Sequence, residues 1–539
     1  MNVTHSRRVV FAAFGVALIL LALTATGATG AAAGNPHGPI VHVEGGPVQG
    51  IDVGSGYAFR GLPYAAPPVG DLRWRPPQPP AAWHGVRDAS QYAPSCPQPP
   101  NPPNLFDPPG PQSEDCLYLN VSTPTLHRNA ALPVIVWIHG GGFTEDGALN
   151  YDGTKLAANG VVVVTINYRL GTLGFLAHSA FAAESGGAAG NYGLMDQQQA
   201  LRWVRSNIDS FGGDPHNVTI AGQSAGGVSV LAHLVSPGSR GLFQRAIVES
   251  GAFALNQIPL ANAESFAGSF ADEVGCPDQS AACLRNVPVS TLVSDFPTAA
   301  IPGVVDGKVL TESIGSALAA GRFAHVPILD GMNENEELIF VAGLQLAVSN
   351  GMFVSAPAPT PGTYESVIAS VLGVSAARAS AIAAGYPLAA YGAFGPDLAP
   401  VLALSTLVSD ANFACPALQV DNLVSGSVPT FAYEFDDGTA PPLFTGPFFP
   451  IATHSSEIQY LFDQPNAPFA TPLSPDQEAL AAKMRAAWAN FAASGDPSTS
   501  AVPWPSFNGS GSVLSLVQPQ PQIDPNFATT HNCSFWAAG

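Results

Sequence analysis

Positive charge is what this sequence has least of. Lys and Arg total 19 in 539 residues against 39 Asp and Glu, and the four charged types together make up only 11% of the chain. A net charge of −20 repels phosphate backbones and anionic membrane surfaces, both of which draw in Lys and Arg, so nucleic acid is not an expected partner. Cysteine is scarce as well. The six residues Cys96, Cys116, Cys276, Cys283, Cys415 and Cys533 include no CxxC spacing of the kind that holds zinc, so no metal is expected. Long apolar runs are confined to the N-terminus; no later stretch of sufficient length is free of charges and turn residues, so no stable membrane span is expected in the mature protein.

What is present is apolar and loop-rich. Hydrophobic residues make up 46%, enough for a large core, and Gly (55) and Pro (51) are abundant. The N-terminus carries Arg7 and Arg8, an apolar run from Val9 to about Leu23, and then small residues suited to cleavage. This pattern predicts a secretory signal peptide over residues 1–33, followed by a single exported, soluble domain over 34–539. An even cysteine count in an exported chain predicts disulfides, with fifteen pairings open for six cysteines.

Runs such as LPVIVWIHG, GVVVVTINYR, NVTIAG, RAIVESG, HVPILDG and TFAYEF are continuously apolar, and segments of helical spacing such as MDQQQALRWVRSNIDSFG separate them. Strands buried on both faces and alternating with helices predict an α/β fold with a mostly parallel central sheet flanked by helices. The series is interrupted from about Asn256 to Phe323 and from Val341 to Asp410 by Ala-rich helical and Pro-rich sequence, which reads as insertions that shape a pocket over one edge of the sheet.

One strand ends in VTIAGQSAGGVSV (Val218 to Val230), with Ser224 set among Gly222, Gly226 and Gly227. A Gly-x-Ser-x-Gly elbow exposes the serine oxygen on strained backbone where only glycines avoid clashes. Serine needs a base, and the base needs an orienting acid. In such folds the order is serine, acid, histidine, which leaves His233, His325, His454 and His531. His233 lies on the helix after the elbow, His325 has no acid beside it, and His531 is near a frayed C-terminus. His454, in a loop before an apolar helical run, is the best base. The acid belongs to VPILDGMNENEELIF, where Asp330, Glu334, Glu336 and Glu337 all qualify. Oxyanion donors are predicted in the glycine loop His139, Gly140, Gly141 and Gly142 at a strand end, together with Ala225 after the nucleophile. Read as a phosphate cradle, that loop lacks the Lys-Ser/Thr of a P-loop.

SEDCLYLNV, HGGGF, NYRLGTLGF, GNYGLMDQQQALRWVRSNIDSFGGDPHNVTIAGQSAGG and HSSEIQYLF together resemble the type-B carboxylesterases, relatives of the cholinesterases within the α/β-hydrolase superfamily, from about His42 to Trp536. The resemblance implies that GMNENE places the orienting acid on Glu336, completing a Ser224, Glu336 and His454 triad, with Gly141, Gly142 and Ala225 as oxyanion donors and Ser250 supporting the acid. It also implies the bridges Cys96 with Cys116, Cys276 with Cys283 and Cys415 with Cys533, and no cofactor. Gln223 stands where cholinesterases carry a glutamate, Phe106 where they carry a choline-stacking tryptophan, and Ala299, Ala300 and Gly303 where they carry acyl-pocket aromatics. The expectation is a secreted serine carboxylesterase with a roomy pocket for neutral carboxylic esters. Its alternatives are a lipase or sterol esterase working at lipid surfaces and a non-catalytic binding protein with the same fold.

Overall fold

The computed structural model describes residues 38–99, 110–294, 303–349, 352–442, 451–464, 471–509 and 512–537. The signal-peptide reading, Phe106, Ala299 and Ala300 lie outside the described residues.

Eleven strands form the main sheet: β1 (Ile51–Asp52), β2 (Tyr57–Pro63), β3 (Tyr118–Thr123), β4 (Leu132–Ile138), β5 (Val162–Ile166), β6 (Gly213–Gln223), β7 (Arg245–Glu249), β8 (Ile328–Asn333), β9 (Thr430–Phe435), β10 (Val513–Leu516) and β11 (Gln522–Asp524). Their spatial order is β11-β10-β9-β8-β7-β6-β4-β5-β3-β2-β1. The strands from β10 across to β5 run parallel, and antiparallel strands close both edges. This arrangement follows from the sequence: β5, β8 and β9 are buried at every position, as parallel strands covered on both faces must be.

The pleat sorts the two cores. Val134, Val136, Ile138, Ile220 and Val248 face one apolar cluster with residues of helices α1 (Tyr192–Asn207), α2 (Ala225–Val235) and Cys415–Val424. Ile135, Trp137, Ala221 and Ile247 face the other, with Met484, Trp488 and Phe491 of the helix Pro475–Ser494. Alternation along each strand therefore buries both sides at once. The long helix starts where Ser474 and Gln477 form a capping box with Pro475 at the first position.

Both insertions are mainly helical, but strands do not vanish from them: each holds a two-stranded sheet, Ile258–Pro259 with Val304–Val305 in the first and Leu346–Ser349 with Met352–Ser355 in the second. The second contains Tyr364–Leu372, Ala376–Gly385 and Ala399–Ser409, which bury Tyr364, Ile368, Ile382 and Leu404 in a cluster of their own. One later run reaches membrane length, although Asp410, Asp421, Pro400 and Pro416 interrupt it. Helical turns run on from Ala399 to Val424, 26 residues that include an 18-residue window of mean hydropathy 1.4, long and apolar enough by length and composition to cross a membrane. Yet 67% of that window is buried inside the fold, and it carries the buried carboxyls of Asp410 and Asp421, so it serves as a core helix. Part of the run, Asp410–Ala414, is wound as a π-helix.

The three disulfides form as the resemblance implied: Cys96–Cys116, Cys276–Cys283 and Cys415–Cys533. Two quoted motifs meet in a buried ion pair. Arg169 of NYRLGTLGF grips Asp196 of GLMDQQQ through Nε (2.8 Å) and Nη2 (2.7 Å), joining the loop after β5 to α1.

Candidate active site

Ser224 stands between β6 and α2 with φ +56° and ψ −123°, a conformation L-residues rarely adopt. Two contacts force it. The Ser224 N–H donates to the Glu249 carbonyl of β7 (2.8 Å), which drives the chain around a tight corner. α2 then presses so close to β4 that a Cβ on Gly226 would sit 1.9 Å from the Ile138 carbonyl oxygen. Glycine at 226 is thus a packing requirement of the elbow.

Glu336 lies just past β8 and is fully buried. Its Oε1 accepts from Ser250 Oγ (2.5 Å) and the Asn333 N–H (2.7 Å), and its Oε2 pairs with His454 Nδ1. Oε1 is thus filled by two donors, which leaves Oε2 to the imidazole. His454 therefore carries its proton on Nδ1, and Nε2 keeps its lone pair. The loops of acid and base are joined directly, since the Asn335 N–H donates to the Ala452 carbonyl (2.9 Å). Phe340 and Phe413 pack their rings against the imidazole at 5.0 and 5.5 Å.

The lone pair of His454 accepts from the Gln223 side-chain amide at 3.2 Å. Gln223 immediately precedes Ser224 in the chain; among the described residues no hydrogen bond joins Ser224 Oγ to His454. Such bonds are often long before substrate arrives.

The glycine loop passes beside the elbow, where a Cβ on Gly140 would lie 3.2 Å from Ser224 Cβ, and the next two residues, Gly141 and Gly142, take φ +78° and +58°, which suits glycine. With Ala225 at the first position of α2, they present N–H groups that have no partner among the described residues. Beneath them, burial lowers His139 to a pKa of about 3, so this ring is neutral, stacked on Tyr168 at 4.4 Å. Asp146, which the sequence reading did not single out, is raised to about 6 by burial.

The competing candidates are placed elsewhere. His233 is buried between Ser239 Oγ and Gln197 Oε1 (both 2.9 Å), and burial lowers its pKa to about 3. His325 is exposed. His531 is not at a frayed end: it is buried between Asp410 and Glu434. Asp330 is buried and driven well above the usual carboxyl range by desolvation, and Asp421 shares that fate beside it. Glu337 accepts from the Val348 N–H (3.0 Å), and Glu334 lies close to Asp436 and Glu434. Only Glu336 reaches a histidine among the four acids of that turn. Gly303 lies beside Asn191, at φ +95°.

Residues 37–536 match the Carboxylesterase family profile. The chain is 36% identical over 501 residues to a cocaine esterase of Oryctolagus cuniculus, covering 88% of this chain and 89% of that protein. It is 35% identical over 490 residues to the para-nitrobenzyl esterase of Bacillus subtilis (strain 168), covering 87% and 92%. It is 35% identical over 494 residues to the fumonisin B1 esterase of Sphingopyxis macrogoltabida, covering 88% and 86%. A solved PNB esterase structure superposes with a TM-score of 0.74 at 32% identity, over 92% of this chain and 98% of that one. The parallel sheet, the elbow and these relatives agree: the chain belongs to the carboxylesterase family, has the α/β-hydrolase fold, and is a carboxylic-ester hydrolase.

Proposed function

We propose that this esterase works through an acyl-enzyme on Ser224 and is exported. Ser224 Oγ attacks the ester carbonyl while His454 Nε2 takes its proton, and Glu336 holds the resulting imidazolium through Nδ1–H. The carbonyl oxygen, now negative, is held by the N–H groups of Gly141, Gly142 and Ala225. His454 then passes the proton to the departing alcohol. Water, deprotonated by the same nitrogen, releases the acid and restores the serine. The observation that carries this reading is the buried Glu336–His454 pair, with its remaining lone pair turned to the residue beside Ser224.

Replacing Ser224 by Ala tests it. Hydrolysis of p-nitrophenyl esters falls by several powers of ten, to roughly the 10³–10⁴-fold residual rate left by binding and oxyanion donors, and labelling by a fluorophosphonate is lost. An alanine variant as active as the parent refutes the assignment, and a parent that takes no label points to a binding protein.

The substrate class is small, neutral carboxylic esters. Gln223 places an uncharged amide beside the imidazole, which gives a cationic alcohol no partner there. The relatives' names refer to different esters, including cocaine, para-nitrobenzyl and fumonisin B1, which supports a class of substrates. A series of acyl chain lengths reads out the preference, and an abrupt rate increase above the substrate's solubility limit assigns the enzyme to lipid surfaces instead. For export, N-terminal sequencing of protein recovered from the medium finds a chain beginning near residue 34; an intact Met1 refutes the leader.

A further inference from the structure

The oxyanion donors belong to a loop that must stay put when negative charge develops against it. That loop has an unusual backbone: Gly141, Gly142, Phe143 (φ +62°) and Asp146 (φ +84°) all lie in the left-handed region. For Asp146 the conformation is unfavourable, and glycine would adopt it without strain. The aspartate side chain supplies the compensation. Its carboxyl is buried and fully engaged: Oδ1 accepts from the Gly147 N–H (2.6 Å) and Asn150 Nδ2 (2.8 Å), and Oδ2 from the Tyr151 hydroxyl (2.5 Å).

The backbone of the same residue is held from the other side. Gln98 Oε1 accepts the Asp146 N–H, and Gln98 Nε2 donates to the Asp146 carbonyl, both at 2.8 Å, as a neighbouring strand would. Gln98 Nε2 also donates to the carbonyl of Cys96 (3.1 Å), whose sulfur is bridged to Cys116. The loop closes back on its own start. The Gly141 carbonyl accepts from the N–H groups of Thr144 (2.9 Å) and Glu145 (3.0 Å), and a Cβ built on Gly141 would lie 2.9 Å from Asp146 Cβ. The aspartate stem thus lies against the α-carbon of an oxyanion donor.

We propose that Asp146, clamped by Gln98, is a positioning residue that fixes the Gly141 and Gly142 N–H groups where the oxyanion forms. The proposal rests on the Ser224 mechanism above. A donor that is held in place acts on the transition state far more than on the bound ester. Loosening the clamp therefore lowers kcat and leaves KM nearly unchanged.

The test is Asp146→Gly, which removes the carboxyl while suiting the backbone. The expected result is a fall in kcat on p-nitrophenyl acetate of about 10- to 100-fold, an unchanged KM, and an equal loss of affinity for a trifluoromethyl ketone, whose adduct with Ser224 places a negative oxygen on the same donors. Asp146→Asn, which keeps an acceptor for the Gly147 N–H, recovers most of the rate. Gln98→Leu lowers kcat in the same direction and carries the test alone if the glycine variant does not fold. Parental kcat and parental ketone affinity in the folded variants overturn the proposal. Ser224→Ala separates the two ideas: if it is inactive while the clamp variants behave as the parent, only the clamp is refuted, and if it is active, the mechanism itself has failed.

Discussion

Two buried histidines in this fold each meet carboxylates, and they are put to opposite uses. His454 has Glu336 on Nδ1 and, among the described residues, only the neutral Gln223 amide on Nε2. His531 has a carboxylate on each nitrogen, Asp410 on Nδ1 (2.6 Å) and Glu434 on Nε2 (2.8 Å), with the Tyr386 hydroxyl on the other Asp410 oxygen (2.6 Å) and Trp536 Nε1 behind it (2.8 Å). An imidazole flanked on both sides by acceptors holds two protons. Its carboxylate partners push His531 up to about 10 against the opposing effect of burial. At neutral pH such a ring is a cation that ties the C-terminal segment to β9 and to the π-helix, and it then has no lone pair with which to take a proton. Burial is nearly equal at the two sites, 3% and 4% exposure, so the number of carboxylates, and not burial, separates the base we propose from a clip.

The largest effect that would sharpen this contrast is on turnover. His454→Ala lowers kcat by about 10⁴- to 10⁶-fold with a parental circular dichroism spectrum. His531→Ala leaves kcat per fluorophosphonate-titrated site at the parental value, and a collapse of kcat there would break the comparison. The second effect is on stability. His531→Ala strands two buried carboxylates and costs about 3–5 kcal/mol in denaturant unfolding, and an unchanged midpoint would show that the cluster does not hold the tail.

The third effect is its pH dependence. Because His531 is raised in the folded chain from 6.5 to about 10, its contribution is fully present below about 6.5 and is lost as pH rises through about 10. The stability difference between the parent and His531→Gln, measured as melting temperature against pH, therefore shrinks across that window; a difference that grows with pH refutes the charged state. The smallest effect comes from making one site resemble the other. Gln223→Glu sets a second carboxylate beside His454 and moves the acid limb of kcat/KM to higher pH by about one unit, and an unmoved limb would mean that the residue at 223 does not face the base.

Much of the architecture was legible because parallel strands buried on two faces must be apolar throughout, as in VVVTI of β5. The elbow was legible because Gly226 has no room for a side chain. Strands next to the edges, such as β2 and β10, were not read: β10 has only four residues, and the register of β2 against β3 shifts partway along it. The acid was narrowed to four carboxyls by position and chosen only through family resemblance. The reason is geometric: where the chain turns after β8 decides whether a carboxyl points to His454, to the Val348 N–H or into the core, and a residue pattern does not encode that direction. His531 was misplaced because its partners lie 121 and 97 residues away in sequence and a disulfide at Cys533 anchors its neighbour. The Gln98–Asp146 clamp left no sequence signal, as its grip is mostly on backbone atoms.

The wide turn at Asp410–Ala414 reaches both histidines: Asp410 holds one, and the Phe413 ring leans on the other. The tail of the protein and the wall of its reaction chamber therefore share a single strut. A protease that trims the last few residues would therefore loosen the fold behind the cleft of the enzyme while leaving the three groups proposed for catalysis in place, so that lifetime and not turnover registers the cut.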